Sequence, residues 1–387
     1  MVSYFIDSGY TSLNHVGEEL CGDRVEYAQN GEYLTAVLCD GMGSGVKANI
    51  LATLSSKILC TMLSAGVPIS DCIETLIASL PVCKVRGVAY ATFSVCHINN
   101  EGKGELLEFD NPAAILIRNG EVSDFEREKS VILGKNVYST KLDLRAGDAI
   151  VMTSDGVEHA GIGMLMNFGW ERPQIKDYLK RSVKEDMSAR AISATLCGAC
   201  NELYMNEPGD DTTVMCVKVR ESAPTSVFVG PPVNKEDDAE YVRQFMAMPG
   251  KKVVCGGTSS LVVARETGKE VKTSLDFPDR DIPPIGFIDG IDLTTEGVVT
   301  VRRVLELSDS YLDAHNCSSA TFLKRDGASL LAKLLFEDST DVKFFVGQAV
   351  NQAHTGLDIE TTMKLKLIDK LADNLKRMGK TVAVQYN

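Results

Sequence analysis

The order of hydrophobic patterns changes once along this 387-residue chain, and this change limits the folds that it can adopt. Up to about residue 220, short strand-like runs surround two consecutive helices, an order typical of α+β domains. From about residue 237 onward, helices and strands alternate, which predicts a mostly parallel, three-layer α/β domain. We therefore predict two domains, 1–221 and 222–387. The Pro-, Ser-, Thr- and Gly-containing stretch from Ser222 to Pro232 is interpreted as the linker or junction between them.

Apolar periodicity identifies the main helices of the first domain. Residues Ser44 to Ala65 carry apolar side chains at three- and four-residue spacing, and a second such stripe follows Pro68. Another amphipathic helix is predicted from Ser188 to Tyr204, before a last strand. Asn119-Gly120 predicts a hairpin turn, because both residues tolerate the positive φ angles that a tight turn requires.

Charge and composition exclude some classes of function. The net charge of -13 disfavours nucleic acid as a partner, because binding to phosphodiesters depends on Lys and Arg. No basic segment followed by an apolar run opens the sequence, and no 18 consecutive residues are apolar. The eleven cysteines are scattered, without paired C-x-x-C motifs at zinc spacing. We expect a cytoplasmic protein with reduced thiols and no membrane segment.

Four aspartates recur at the ends of predicted strands, each beside glycine or a small polar residue. These are Asp23 in Gly22-Asp23, Asp40 in Asp40-Gly41-Met42-Gly43-Ser44-Gly45, Asp155 in Thr153-Ser154-Asp155-Gly156, and Asp210 in Gly209-Asp210-Asp211-Thr212-Thr213. Carboxylates brought together without cationic partners repel one another, and burying them is costly unless metal ions neutralise them. Oxygen ligands favour Mg²⁺ or Mn²⁺ over zinc. A single Asp-Gly remains more often a simple turn.

In these segments the sequence resembles the metal-dependent PP2C-type (PPM) protein serine/threonine phosphatases, and within them the bacterial SpoIIE-like branch. The matching segments run in the family's order over about residues 3–220. They are Cys21-Gly22-Asp23, Asp40 to Gly45, Asn111-Pro112-Ala113, Ala146-Gly147-Asp148 with Thr153 to Gly156, and Gly209 to Val214. The resemblance implies an αββα sandwich of two antiparallel sheets, covered by helices, with two metal ions in a cleft at one rim.

The resemblance also implies roles for individual residues. Asp40 would bridge two Mn²⁺ or Mg²⁺ ions, Asp23 and the Gly41 carbonyl would serve one ion, and Asp155 with Asp210 would serve the other. A water between the ions would attack phosphorus without forming a phosphoenzyme. We assign Asp40 and Asp155 as catalytic, and we place Asp211 with the metal ligands. For Asp211, a water holder or a cap for the following backbone is the alternative.

Other residues near these motifs are given simpler roles. Asp148 and Asn111 are interpreted first as turn residues. His15 and His159 are left out of the site, because a lone histidine is more often structural or exposed. Met42 stands where eukaryotic members carry a histidine that is a candidate general acid, and the arginine that grips the substrate phosphate has no clear counterpart. The general acid therefore stays unassigned.

The second domain resembles no family that we recognise. Its glycine-rich turns, in Val253 to Ser259 and Val346 to Asn351, follow strands, where backbone donors are able to hold an anion. Tight turns needed for chain reversal are the simpler interpretation. The apolar stripe from Ile359 to Met378 is interpreted as core, with a homodimer face as the alternative.

We therefore predict hydrolysis of phosphoserine or phosphothreonine on a bacterial regulatory protein. In the SpoIIE-like branch such substrates are often anti-sigma-factor antagonists. The second domain would regulate, localise or sense a ligand. The alternative is a phosphatase-fold scaffold of weak activity whose C-terminal domain binds a small anion or a partner protein.

Overall fold

The computed structural model describes residues 3–30, 32–79, 91–273, 282–315, 324–349 and 358–387. It divides into two compact units, each described here on its own. The first unit comprises Met1–Glu221 with the short segment Ala314–Ser318, and the second comprises Ser222–Asp313 and Ser319–Asn387.

The first unit begins with two strands and a third that leads into a helix pair. In chain order its elements are β1 (Phe5–Leu13), β2 (Asp23–Asn30), β3 (Tyr33–Gly41), α1 (Gly45–Ser64), α2 (Ile69–Ser79), β4 (Ala91–Asn99), β5 (Lys103–Phe109), β6 (Ile115–Arg118), β7 (Glu121–Asp124), β8 (Glu128–Ile132), β9 (Lys135–Asp143), β10 (Ala149–Thr153), α3 (Gly156–His159), α4 (Arg172–Ser182), α5 (Ala189–Leu203) and β11 (Thr212–Arg220).

These strands form two antiparallel sheets that pack face to face. One sheet has the order β1-β11-β10-β6-β7 and the other β2-β3-β4-β5-β9-β8. Side chains from both, such as Leu38 and Met215, share one buried core between the sheets. A second core joins the first sheet to α4 and α5, and a third joins the other sheet to α1 and α2. The structure therefore confirms the predicted αββα sandwich.

Local signals explain several of these elements. Asn119 and Gly120 both adopt positive φ angles, of 52° and 75°, and connect β6 to β7 as the sequence predicts. Helix α4 is not predicted by the sequence, because only Ile175 and Leu179 of its eleven residues are buried. Helix α1 has the length and mean hydropathy of a membrane span, and 39% of that window is buried. Core helices of soluble proteins and signal sequences reach the same length and mean hydropathy.

The second unit is built on a mostly parallel sheet. Its elements are β12 (Pro224–Val229), α6 (Asp238–Ala247), β13 (Lys251–Cys255), α7 (Gly257–Thr267), β14 (Lys272–Thr273), β15 (Gly286–Phe287), β16 (Leu293–Thr295), α8 (Val298–Leu312), α9 (Gly327–Lys333), β17 (Asp341–Val346), α10 (Asp358–Arg377) and β18 (Thr381–Tyr386). A short 3₁₀ turn, Lys235–Asp237, precedes α6, and a π-helical turn, Leu334–Asp338, follows α9.

The sheet order is β14-β15-β16-β13-β12-β17-β18, with β16, β13, β12, β17 and β18 parallel. One core joins the sheet to α8, α9 and α10, and the other joins it to α6 and α7. The predicted three-layer α/β architecture is therefore confirmed. The order of the parallel strands reverses at β12, as in doubly wound nucleotide-binding folds.

The interpretation of Ser222 to Pro232 as a linker is wrong in one respect, because this stretch contains the central strand β12. Thr225 to Val229 are all buried, and β12 pairs with β13 on one side and β17 on the other. The apolar run Val227 to Val229 is short and has Pro and Gly nearby, so its composition is that of a loop. Pro224 is compatible with the strand because it is its first residue, where a missing backbone N–H is tolerated.

Candidate metal site

Strands β2 and β3 place two of the aspartates side by side. Asp23 begins β2, Asp40 lies near the end of β3, and the two residues are direct cross-strand partners. Gly41 follows, and a Cβ atom on it would lie 2.2 Å from the backbone oxygen of Ala48 in α1. The glycine is therefore required for the close approach of α1 to the strand that carries Asp40.

The other sheet supplies the second pair of aspartates. Asp155 follows β10 and precedes α3, whereas Asp210 lies two residues before β11. Strands β10 and β11 are antiparallel neighbours, and the Ser154 backbone N–H extends their pairing by donating to the Thr213 carbonyl at 3.0 Å. The end of one strand and the start of the next therefore lie at the same edge of the sheet.

Contacts between side chains join the two pairs. The carboxyl groups of Asp40 and Asp155 share a hydrogen bond. His159 Nδ1 lies 2.8 Å from Asp210 Oδ2 and 4.0 Å from Asp155 Oδ1. Asp155, His159 and Asp210 offer donor atoms that all lie within 4.8 Å of one another. The four aspartates predicted as ligands therefore form one cluster that includes both sheets.

Burial and mutual repulsion disfavour the charged forms of these carboxyl groups. Burial raises the pKa of Asp23 to about 7, with hydrogen bonds from Ser154 and Thr213 acting in the opposite direction. Burial and the nearby Asp23 and Asp155 carboxylates raise the pKa of Asp40 to about 10. The pKa of Asp155 is raised by burial and then by Asp210. Without added positive charge, the cluster holds protons at neutral pH.

The basic side chain that contacts the site is His159, beside Asp210 and Asp155. Across the described residues, no lysine or arginine forms an ion pair with Asp23, Asp40, Asp155 or Asp210. Asp23 Oδ1 is buried and has no hydrogen-bond partner. An unpartnered buried carboxylate oxygen beside other carboxyl groups fits a divalent cation, since such ions take oxygen ligands. The residues present therefore fit the metal centre that the sequence predicts.

Asp211 is placed differently from the four aspartates of the cluster. Its two carboxylate oxygens accept backbone N–H groups, from His15 at 3.0 Å and from Gly22 at 2.8 Å. The side chain is buried and fixes the loop that leads into Asp23. This geometry corresponds to a backbone cap, although the residue capped lies in the preceding loop and not in the following strand.

Two further predicted turn residues have structural partners. Asp148 is buried and forms an ion pair with Arg118, whose Nη2 atom lies 2.6 Å away. Asn111 donates to Ser94 Oγ at 3.2 Å and contacts Thr92 through its side-chain oxygen. Both side chains are thus used to hold β-sheet connections.

Sequence reasoning missed two side chains that contact the cluster. Ser154 Oγ donates to Asp23 Oδ2 at 2.7 Å and accepts the Thr213 backbone N–H at 2.9 Å, so it orients Asp23 from the opposite sheet. His159, which the sequence alone leaves as a lone histidine outside the site, contacts Asp210. Its spacing of four residues from Asp155 is the signal that would have found it, because residues four apart share one face of a helix.

The αββα sandwich and the carboxylate cluster at its strand ends together define the class, that of PP2C-type phosphatase domains. Residues 30–220 match the family model of stage II sporulation protein E, SpoIIE. This match and the fold support a SpoIIE-like, PP2C-type phosphatase domain in the first unit.

Individual proteins are also similar to this chain. Stage II sporulation protein E of Bacillus subtilis is 21% identical over 229 residues, which is 57% of this chain and 27% of that protein. The structure of the PP2C phosphatase domain and a regulatory-domain fragment of B. subtilis SpoIIE has a TM-score of 0.50 and 22% identity, over 58% of this chain and 66% of the other. The RsbU and RsbW domains of a Mycobacterium tuberculosis protein give a TM-score of 0.48 and 19% identity, over 63% and 68%. The chain thus spans about a quarter of the length of its curated relative.

The glycine-rich turns of the second unit have close backbone contacts. Gly256 has a φ of 115°, and its N–H donates to the Thr295 carbonyl at 2.8 Å. A Cβ on Gly347 would lie 1.9 Å from the Pro231 carbonyl oxygen. These contacts agree with the interpretation as tight turns. Val350 and Asn351, at the end of the second turn, lie outside the described residues.

Proposed function

We propose that the first unit hydrolyses phosphoserine or phosphothreonine on a regulatory protein, at a centre of two divalent cations. The observation that supports this most directly is the cluster of four aspartates around the buried Asp23 carboxyl group, with no lysine or arginine paired to them in the described part of the chain. Burial raises the pKa of Asp23 to about 7 and that of Asp40 to about 10, so without metal ions the fully ionised cluster is unfavourable at neutral pH. Binding of Mn²⁺ or Mg²⁺ in place of these protons would compensate the negative charge of the carboxylates.

The position of each residue in the cluster suits it to a particular role in holding the ions. Asp40, between Asp23 on the neighbouring strand and Asp155 on the other sheet, is suited to bridge two ions. Asp23 and the Gly41 carbonyl would hold one ion, and Asp155 with Asp210 the other. When bound, the ions would supply a water of lowered pKa and balance the charge of the phosphoryl oxygens. Ser154 would keep Asp23 in position through its 2.7 Å hydrogen bond.

The proposed substrate class follows from resemblance to the SpoIIE-like branch. There, phosphorylated anti-sigma-factor antagonists are common substrates, and we propose a protein of this kind as the partner. The net charge of -13 and the scattered cysteines support a cytoplasmic setting without nucleic acid as a partner.

The test is hydrolysis of p-nitrophenyl phosphate and of a phosphoserine peptide by the full chain, with and without Mn²⁺. We expect metal-dependent activity that Asp40→Asn and Asp155→Asn each reduce by at least about a hundredfold, since each removes a ligand that positions the reacting groups. Asp177→Asn, on the exposed face of α4, is the matched control and should retain activity. Circular dichroism and thermal unfolding would verify that all three variants fold. Equal activity in Asp40→Asn and the native chain would refute the site.

The alternative, a scaffold of weak activity whose second unit binds an anion or a partner protein, makes a different prediction. In that case hydrolysis would be negligible with either ion, and the Asp40→Asn variant would behave like the native chain. The buried and unpartnered Asp23 Oδ1 favours the enzyme, because a scaffold has no need for a carboxylate oxygen without a hydrogen bond.

A further inference from the structure

His159 lies on the same helical face as one of the proposed metal ligands. Helix α3 covers Gly156–His159, and Asp155 is the residue directly before it. His159 is therefore four residues after Asp155, about one helical turn, and both side chains point toward Asp210. The local fold of α3 thus adds a nitrogen donor beside two carboxylates.

The distances between these donor atoms match the coordination shell of a small divalent cation. An octahedral ion with ligands at about 2.1 Å places neighbouring ligands about 3.0 Å apart and opposite ligands about 4.2 Å apart. His159 Nδ1 lies 2.8 Å from Asp210 Oδ2 and 4.0 Å from Asp155 Oδ1. One ion among the three donors would therefore have two of its ligand spacings already formed.

Solvent exposure of the three side chains distinguishes this group from the buried part of the cluster. The side chains of His159, Asp155 and Asp210 are 45%, 51% and 34% exposed, whereas Asp23 is buried. An ion reaching the cleft from solvent meets the mixed nitrogen and oxygen donors first. This outer position is thus chemically different from the all-oxygen position beside Asp23.

We propose that His159 binds a divalent cation directly through Nδ1, together with Asp155 and Asp210. The inference rests on the proposed metal centre and adds a ligand to it. Imidazole suits transition metals, whereas carboxylate and water suit Mg²⁺. The outer position therefore prefers Mn²⁺ to Mg²⁺ more strongly than an all-oxygen position would.

The experiment uses the full chain with Mn²⁺ and Mg²⁺ as probes. Pulsed electron paramagnetic resonance of bound Mn²⁺ detects the ¹⁴N coupling of a directly bound imidazole, and the signal of free Mn²⁺ gives the binding constant. In His159→Gln we expect the ¹⁴N coupling to disappear and Mn²⁺ binding to weaken at least about tenfold, since even indirect partners of metal ligands are worth that much. Mg²⁺, measured by competition, should lose less affinity than Mn²⁺.

The control is His97→Gln, since His97 lies on β4, where it contacts Thr35 and stacks on Tyr33. That variant should keep the ¹⁴N coupling and the native preference for Mn²⁺. Native protein that binds Mn²⁺ without ¹⁴N coupling would overturn the inference and leave the phosphatase proposal intact. An unchanged ratio of Mn²⁺ to Mg²⁺ affinity in His159→Gln would also overturn it. Failure of the native chain to bind Mn²⁺ at all would refute both proposals.

Discussion

The stability of the metal-free protein should fall as pH rises, and ionisation of Asp23 should be one of the main causes of this fall. Burial raises the pKa of this carboxyl group from 3.8 to about 7 in the folded protein. Between these two values the folded state holds a proton that the unfolded state has released. Since stability falls with pH wherever the folded state binds more protons, the loss begins near pH 4 and is complete above pH 7.

The size of the effect follows from the range of pH. Each pH unit well inside that window costs about 1.4 kcal/mol, and the slope decreases near pH 7, so the change from pH 5 to pH 7 amounts to about 2.3 kcal/mol. Asp23 and Asp40 interact, so this value belongs to the first step of the pair. For a domain of this size, about 2–4 °C per kcal/mol corresponds to a fall in Tm of roughly 5–9 °C.

The assay is differential scanning calorimetry in EDTA at several pH values between 5 and 7, comparing the native chain with Asp23→Asn. The variant cannot release the proton, so its Tm should change less with pH and should exceed the native Tm at pH 7. Asp177→Asn is again the control and should keep the native slope. Added Mn²⁺ should restore the stability of the native chain at pH 7 by binding the folded state. Parallel curves for Asp23→Asn and the native chain would refute the electrostatic account of the cluster.

Two further predictions concern the backbone around the site. Gly41→Ala should destabilise the first unit by about 3 kcal/mol, because its Cβ would meet the Ala48 carbonyl. The control Gly209→Ala should cost under about 0.5 kcal/mol, because a Cβ there would have no neighbouring atom nearer than 3.7 Å. Urea unfolding measures both free energies, and equal costs would contradict the packing argument. Asp211→Asn should lower stability by about 1–3 kcal/mol, because it replaces one of the two carboxylate oxygens that accept the backbone N–H groups of His15 and Gly22. The variant should keep metal-dependent hydrolysis within a few-fold. Loss of activity at native stability would instead make Asp211 a metal ligand.

Much of the fold was accessible from sequence because its signals are local. The αββα sandwich of the first unit and the alternating architecture of the second agree with the sequence-based expectations. Asp40 and Asp155 were located because each follows an apolar strand and precedes a glycine, a pattern visible within a few residues. Strand β12 is not predicted by the sequence, because its apolar residues are few and its central position depends on pairing with β13 and β17.

In the site, too, contacts between residues far apart in the sequence are the part that the sequence does not predict. That Asp23 is held by Ser154, from the other sheet, depends on a contact between residues 131 positions apart. The use of Asp211 to cap Gly22 joins residues 189 positions apart. No spacing rule reaches such distances, so sequence identified the charged groups but not the hydrogen bonds that position them.

The position of β12 has a practical consequence for dividing the chain. Strand β11 ends at Arg220 and β12 begins at Pro224, so only residues 221–223 separate the last strand of one sheet from the middle strand of the other. A recombinant fragment starting after Pro232 would lack that middle strand and leave β13 and β17 with unpaired edges. Such a fragment would be prone to aggregate, and a cut within residues 221–223 is the one that preserves both sheets.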